Sequence, residues 1–153
     1  MVSGNSQSRR MFVLSGGLAA AAAAIAPRLA FADAAAVETA IKKLFDGKTF
    51  AEGRVKLDVP EIAENGLVVP INVSVESPMT EADHVKAIHV FADGNPLPGV
   101  ISLKFTPQAG RAAASARMRL AQTQNIICLA EMSDGKIFTA KAQVKVTIGG
   151  CGG

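Results

Sequence analysis

The signatures of catalysis are missing from this 153-residue chain. It has no Gly-x-Ser-x-Gly elbow for a nucleophilic serine, no phosphate-binding P-loop and no Gly-rich dinucleotide loop. Histidine is scarce, with only His84 and His89. Their spacing is odd, so on one strand they face opposite sides, which argues against a shared metal site. Cysteine is equally scarce, and both copies, Cys128 and Cys151, lie in the C-terminal third. A lipid anchor near the N-terminus therefore has no thiol to use. The acids Glu76, Glu81 and Asp83 gather beside Ser77-Pro78-Met79-Thr80 and read as an exposed turn. There are no internal repeats and no sign of a second domain.

What is present is concentrated at the two ends. Ser8-Arg9-Arg10-Met11-Phe12-Val13-Leu14 resembles a twin-arginine export signal. An alanine-rich apolar run follows from Leu14 to Ala26, too short to cross a bilayer. Ala30-Phe31-Ala32 then fits a small-residue cleavage site. Residues 1–32 are thus expected to be a leader, with the mature chain starting at Asp33 in the oxidising periplasm. The leader takes Arg9, Arg10 and Arg28 from 16 basic residues, and the remaining 13 balance 13 acids. The high sequence pI, about 9.1, then belongs to the leader and supports no nucleic-acid partner.

The mature chain is long enough for one core. Val37, Ile41, Leu44 and Phe45 recur at helical spacing over 34–46, with Gly47 as the stop. Everything after reads as strand: 55–59, 67–75, 85–92, 100–105, 112–120, 125–132 and 137–148. Pro70 marks its strand as an edge or bulge, and Asp134-Gly135 reads as a hairpin turn. In the last strand Phe138, Ala140, Ala142, Val144, Val146 and Ile148 alternate with polar residues, giving one buried and one wet face. About seven short strands predict a mainly β, immunoglobulin-like sandwich with a short N-terminal helix over 33–148.

Beyond Ile148 stands Gly149-Gly150-Cys151-Gly152-Gly153. Glycine costs the most backbone entropy to order, so this run is expected to be a flexible arm presenting one thiol. From Ile148 to Cys151 the extended reach is roughly 10 Å. No Lys, Arg or His lies nearby to activate Cys151, so a docked partner must supply the electropositive pocket. Such a residue carries cargo while others do the chemistry. Cys128, within Ile126-Ile127-Cys128-Leu129, reads instead as a small buried hydrophobe.

The tail Val144 to Gly153 resembles that of the SoxY family, the sulfur-carrier subunits of the bacterial thiosulfate-oxidising system. The likeness extends to the twin-arginine leader, Asn65-Gly66-Leu67-Val68-Val69-Pro70, Glu76-Ser77-Pro78-Met79-Thr80 and Asn95-Pro96. It also covers Arg117-Met118-Arg119-Leu120-Ala121-Gln122-Thr123-Gln124 and Ser133-Asp134-Gly135. The resemblance implies a non-catalytic subunit without cofactor, paired with a second sandwich subunit, SoxZ. It implies covalent sulfur attachment at Cys151, with Gly149, Gly150, Gly152 and Gly153 as the arm. Thiosulfate would be coupled there by the haem c pair SoxXA, giving a cysteine S-thiosulfonate. The hydrolase SoxB would release sulfate, and a molybdenum–haem sulfane dehydrogenase, where present, would oxidise the remaining sulfur.

Three other readings stay open on the residues alone. A ubiquitin-like sulfur carrier also ends in Gly-Gly, but needs ATP chemistry in the cytoplasm. An exported β-sandwich binding module would use its tail cysteine for an intermolecular disulfide. A self-sufficient cysteine enzyme lacks its base.

Overall fold

The computed structural model describes residues 33–150. The expected leader and Cys151 to Gly153 lie outside the described residues. Among the described residues one α-helix, α1 (Ala34–Leu44), precedes nine strands. These are β1 (Phe50–Glu52), β2 (Val55–Asp58), β3 (Ile62–Asn65), β4 (Val69–Val75) and β5 (Val85–Ala92), then β6 (Gly99–Lys104), β7 (Ala112–Met118), β8 (Gln124–Met132) and β9 (Ile137–Ile148). All seven expected strands are present. The two additional ones, β1 and β3, are three and four residues long, and neither Phe50-Ala51-Glu52 nor Ile62-Ala63-Glu64-Asn65 alternates apolar with polar residues.

Two sheets face each other. The larger runs β1-β9-β8-β5-β6, and the smaller runs β2-β4-β7. Between them lie Val69, Ile71, Ile88, Val90, Ile126, Cys128, Ala130, Met132 and Val144, all buried. The alternation of β8 places its even-numbered residues in this core and Ile127 and Leu129 on the opposite face. That outer face is also apolar because α1 covers it. Val37 and Phe45 pack there against Phe91, Leu129 and Ile137. Asp33 starts the helix by accepting the Ala36 N–H at 2.9 Å.

Three expectations are corrected by this packing. Leu44, read as part of the buried helical face, is 54% exposed, because α1 ends there and Phe45 turns inward in its place. Pro70 sits in β4, which is the central strand of the small sheet rather than its edge. The proline is tolerated because β2 ends at the Asp58↔Asn72 pair, so Pro70 has a strand neighbour only on the β7 side. The alternation of β9 puts Ile148 on the inward face, yet it is 68% exposed, because β9 has by then run past the end of β8.

The strand β9 organises the region that carries the tail. One edge pairs antiparallel with β8 from Glu131↔Ile137 to Gln124↔Val144. The other edge pairs in parallel with β1 at its start and β3 at its end, the last pair being Asn65↔Ile148. The chain therefore reaches the tail from a strand supported on both sides.

Candidate functional site

Where the β8–β9 ladder stops, the turn between β7 and β8 takes over. Thr123 Oγ1 accepts the Val146 N–H at 3.0 Å. Leu120 O accepts the Gly150 N–H at 2.9 Å. Leu120 N–H donates to Gly66 O at 2.8 Å, and Gly66 N–H donates to Ile148 O at 2.8 Å. Three separate segments thus share a chain of backbone hydrogen bonds around the first two residues of the tail.

The close approach explains the residue types. A Cβ on Gly66 would overlap Leu120 O, and one on Gly149 would overlap Ala121 O. Gly66 is therefore required for proximity rather than for a special dihedral angle. The same holds for Gly149, and it changes the reading of the arm. The sequence alone predicts Gly149 and Gly150 as its free first residues, leaving the domain at Ile148. Contact with the domain instead continues to Gly150, which is buried. Cys151, Gly152 and Gly153 lie outside the described residues.

The turn that receives Gly150 is itself held from inside. Asn95 and Gln124 are the buried polar residues among those described, 2% and 3% exposed. Asn95 Nδ2 donates to Arg119 O at 2.9 Å, while Asn95 Oδ1 accepts the Ala121 N–H at 3.0 Å. Gln124 Nε2 donates to Asn95 Oδ1 and to Gln122 O, and Gln124 Oε1 accepts the Gly94 N–H at 2.7 Å. Every buried side-chain polar atom among the described residues has a partner. Sequence reasoning missed this network. Asp93-Gly94-Asn95-Pro96 reads as a turn, but nothing in a single chain marks the side-chain amides of Asn95 and Gln124 as buried.

The other candidate residues do not join this site. Cys128 is fully buried in β8, opposite Val90 and Ala140, and burial pushes its thiol from 9.0 up to about 12. His84 Nδ1 lies 3.0 Å from Thr80 O. His89 lies on the helix-covered face, edge-on to the Phe45 ring at 5.5 Å, with Nδ1 2.9 Å from Ser102 Oγ. Burial holds His89 below its ordinary pKa. No cluster of three metal-ligating side chains occurs among the described residues. The loop after β4 is less open than expected. Met79 is buried at a φ of 51°, and Ser77 Oγ accepts its N–H at 3.1 Å.

With this geometry in place, comparison with known proteins decides the family. Residues 41–151 match the family of the sulfur oxidation protein SoxY. The chain belongs to the SoxY family. The solved sulfur carrier protein SoxY from Chlorobium limicola f thiosulfatophilum is 32% identical, with a TM-score of 0.64, over 76% of this chain and 100% of that one. Two superoxide reductases share the fold alone. That of Ignicoccus hospitalis, a neelaredoxin, is 18% identical with a TM-score of 0.56, over 77% of this chain and 95% of that one. That of Nanoarchaeum equitans is 8% identical with a TM-score of 0.51, over 63% and 96%. No curated protein matches the sequence. The SoxY match ends on Cys151, so the family's span includes the tail thiol and the two glycines docked before it.

Proposed function

We propose that this chain is a periplasmic sulfur carrier. It holds thiosulfate-derived sulfur covalently on Cys151 and presents it to the enzymes that oxidise it. The observation that carries the reading is membership of the SoxY family over a span that reaches Cys151, together with the glycines on either side of that residue.

The chemistry follows from the thiol. Loading joins the Cys151 sulfur to the terminal sulfur of thiosulfate, forming an S–S bond. The thiol proton is released and two electrons pass to a haem c protein of the SoxXA kind. Hydrolysis by a SoxB-like enzyme then breaks the bond to the sulfonate group. Water supplies the fourth oxygen of the departing sulfate, and a persulfide remains on Cys151. A sulfane dehydrogenase, where present, would act on that persulfide. The run from Gly149 to Gly153 contains no acidic or basic side chain, so in this scheme each docked enzyme provides the activating charge. Glycine flanks carry no side chains, which suits a narrow active-site channel. Covalent attachment replaces repeated capture of a diffusing anion by one bonding event.

A SoxZ-like sandwich subunit is the proposed stable partner. Ile148 and Val68, beside the arm root, are 68% and 57% exposed, and a partner would cover such apolar surface. Co-purification from the native host, under gentle conditions, is expected to recover both subunits; recovery of this chain only as a monomer would count against the pairing.

Intact-mass measurement of protein from thiosulfate-grown cells tests the carrier role. The expected spectrum contains sulfur adducts that reductant removes and that Cys151→Ser lacks. Adducts surviving Cys151→Ser would place cargo elsewhere, as in a ubiquitin-like carrier. A dimer that reduction splits without releasing a sulfur anion would favour an exported binding module.

A further inference from the structure

Three sequence motifs far apart in the chain have no part in the thiol chemistry, yet they meet around Gly149 and Gly150. They are Asn65-Gly66, Gly94-Asn95 and Arg119 to Gln124. We propose that together they form a socket that clamps the root of the arm, so that the pivot from which Cys151 is presented is Gly150 and not Ile148. Gly66, Asn95 and Gln124 are positioning residues for the thiol. The proposal rests on the carrier reading only for the cargo; the socket itself is a property of the folded chain.

The argument begins with the buried amides. Asn95 and Gln124 spend their hydrogen bonds on the backbone of Arg119, Ala121, Gln122 and Gly94. A turn needing only to join β7 to β8 would leave those groups to water at no cost. Holding them from within fixes the direction of the Leu120 and Ala121 carbonyls. Those two carbonyls face the arm: Leu120 O accepts the Gly150 N–H, and Ala121 O lies against the face of Gly149 where a Cβ would stand. Gly66 closes the opposite wall, since its own missing Cβ leaves room for Leu120 O and for Gly150 N. Thr123 grips the strand just before, through Val146.

The consequence concerns reach. If the arm swung from Ile148, the three residues to Cys151 would span roughly 10 Å. Clamped at Gly150, only one backbone step, roughly 3.5 Å, remains between the clamped residue and Cys151. An enzyme acting on the clamped form must therefore receive the turns around Leu120 and Gly66 at its entrance. The socket joins the recognition surface to the cargo, which a freely swinging tail would not do.

Amide hydrogen exchange, followed residue by residue by NMR on the purified protein, tests this without cargo or enzyme. The Gly150 N–H is expected to exchange at least about tenfold more slowly than in an unstructured chain. Gly149→Ala, at an exposed position, is expected to bring Gly150 to within about twofold of the unstructured rate. The amides of Ile126, Cys128 and Ala130 should keep their protection, so the loss is local. Gly66→Ala should do the same, whereas Gly99→Ala, which meets nothing within 4 Å, should leave Gly150 protected. Exchange of Gly150 at the unstructured rate in the unaltered protein, or protection that survives Gly149→Ala, would overturn the socket. Protection that behaves as stated while Cys151 carries no sulfur would uphold the socket and refute the carrier role.

Discussion

The side-chain amide of Gln124 donates to Asn95 Oδ1 at 2.9 Å, in a site where neither residue meets water. Asn95 lies in the turn after β5 and Gln124 opens β8, 29 positions later, and between them they satisfy backbone groups of Gly94, Arg119, Ala121 and Gln122. Buried amides are held tightly only when all their partners are present.

Removing one of the pair therefore leaves the others stranded. Asn95→Ala unpairs the Ala121 N–H, the Arg119 carbonyl and one Gln124 donor, and is expected to cost about 1–3 kcal/mol. Urea unfolding of variant and parent measures the cost. Gln124→Leu, of similar bulk, should fall in the same range, since Gly94 N–H loses its acceptor. A change below about 0.5 kcal/mol in both would mean that water replaces the network.

The thiol at Cys128 gives the fold an alkaline sensitivity. Its pKa is raised from 9.0 to about 12 because burial disfavours the thiolate. The folded state binds the proton more tightly than the unfolded chain does. This contribution is thus fully present below pH 9.0 and is lost as pH rises towards 12. Relative to Cys128→Ala, the parent should lose up to about 1.4 kcal/mol per pH unit across that window. Parallel denaturation curves at several alkaline pH values decide it; a constant difference between the two proteins would contradict the assignment.

Strand β9 offers an internal contrast. Val144 is completely buried and Ile148 is 68% exposed, although both lie on the alternation that reads as one apolar face. Val144→Ala should cost about 2 kcal/mol in thermal or chemical unfolding. Ile148→Ala should change stability by less than about 0.5 kcal/mol. Equal costs at the two sites would mean that the end of β9 is covered in the isolated chain.

Export is tested at Arg9 and Arg10. Replacing both with lysine keeps the charge but removes the motif. The precursor should then accumulate in the cytoplasm, while the parent should appear in the periplasm beginning at Asp33. Fractionation followed by N-terminal sequencing reads both outcomes, and normal export of the double variant would remove the twin-arginine proposal.

Much of this protein is determined by local pattern. The period of two in β8 and β9, the helical spacing of Val37, Ile41 and Phe45, and the turns at Asp93-Gly94 and Asp134-Gly135 are short-range signals. They were enough to mark seven strands, one helix and the burial of Cys128. The thiol of Cys151 among four glycines is likewise a local signal, and its role as the sulfur attachment point is the proposal that intact-mass measurement tests. Tertiary structure decided what depends on contacts between distant segments. Whether Ile148 is wet depends on where β8 ends, and whether Pro70 is tolerated depends on where β2 ends. Whether Gly150 is free depends on carbonyls aimed at it by Asn95 and Gln124. A glycine read alone signals freedom. Only the fold shows when its missing side chain is instead the space into which another backbone packs.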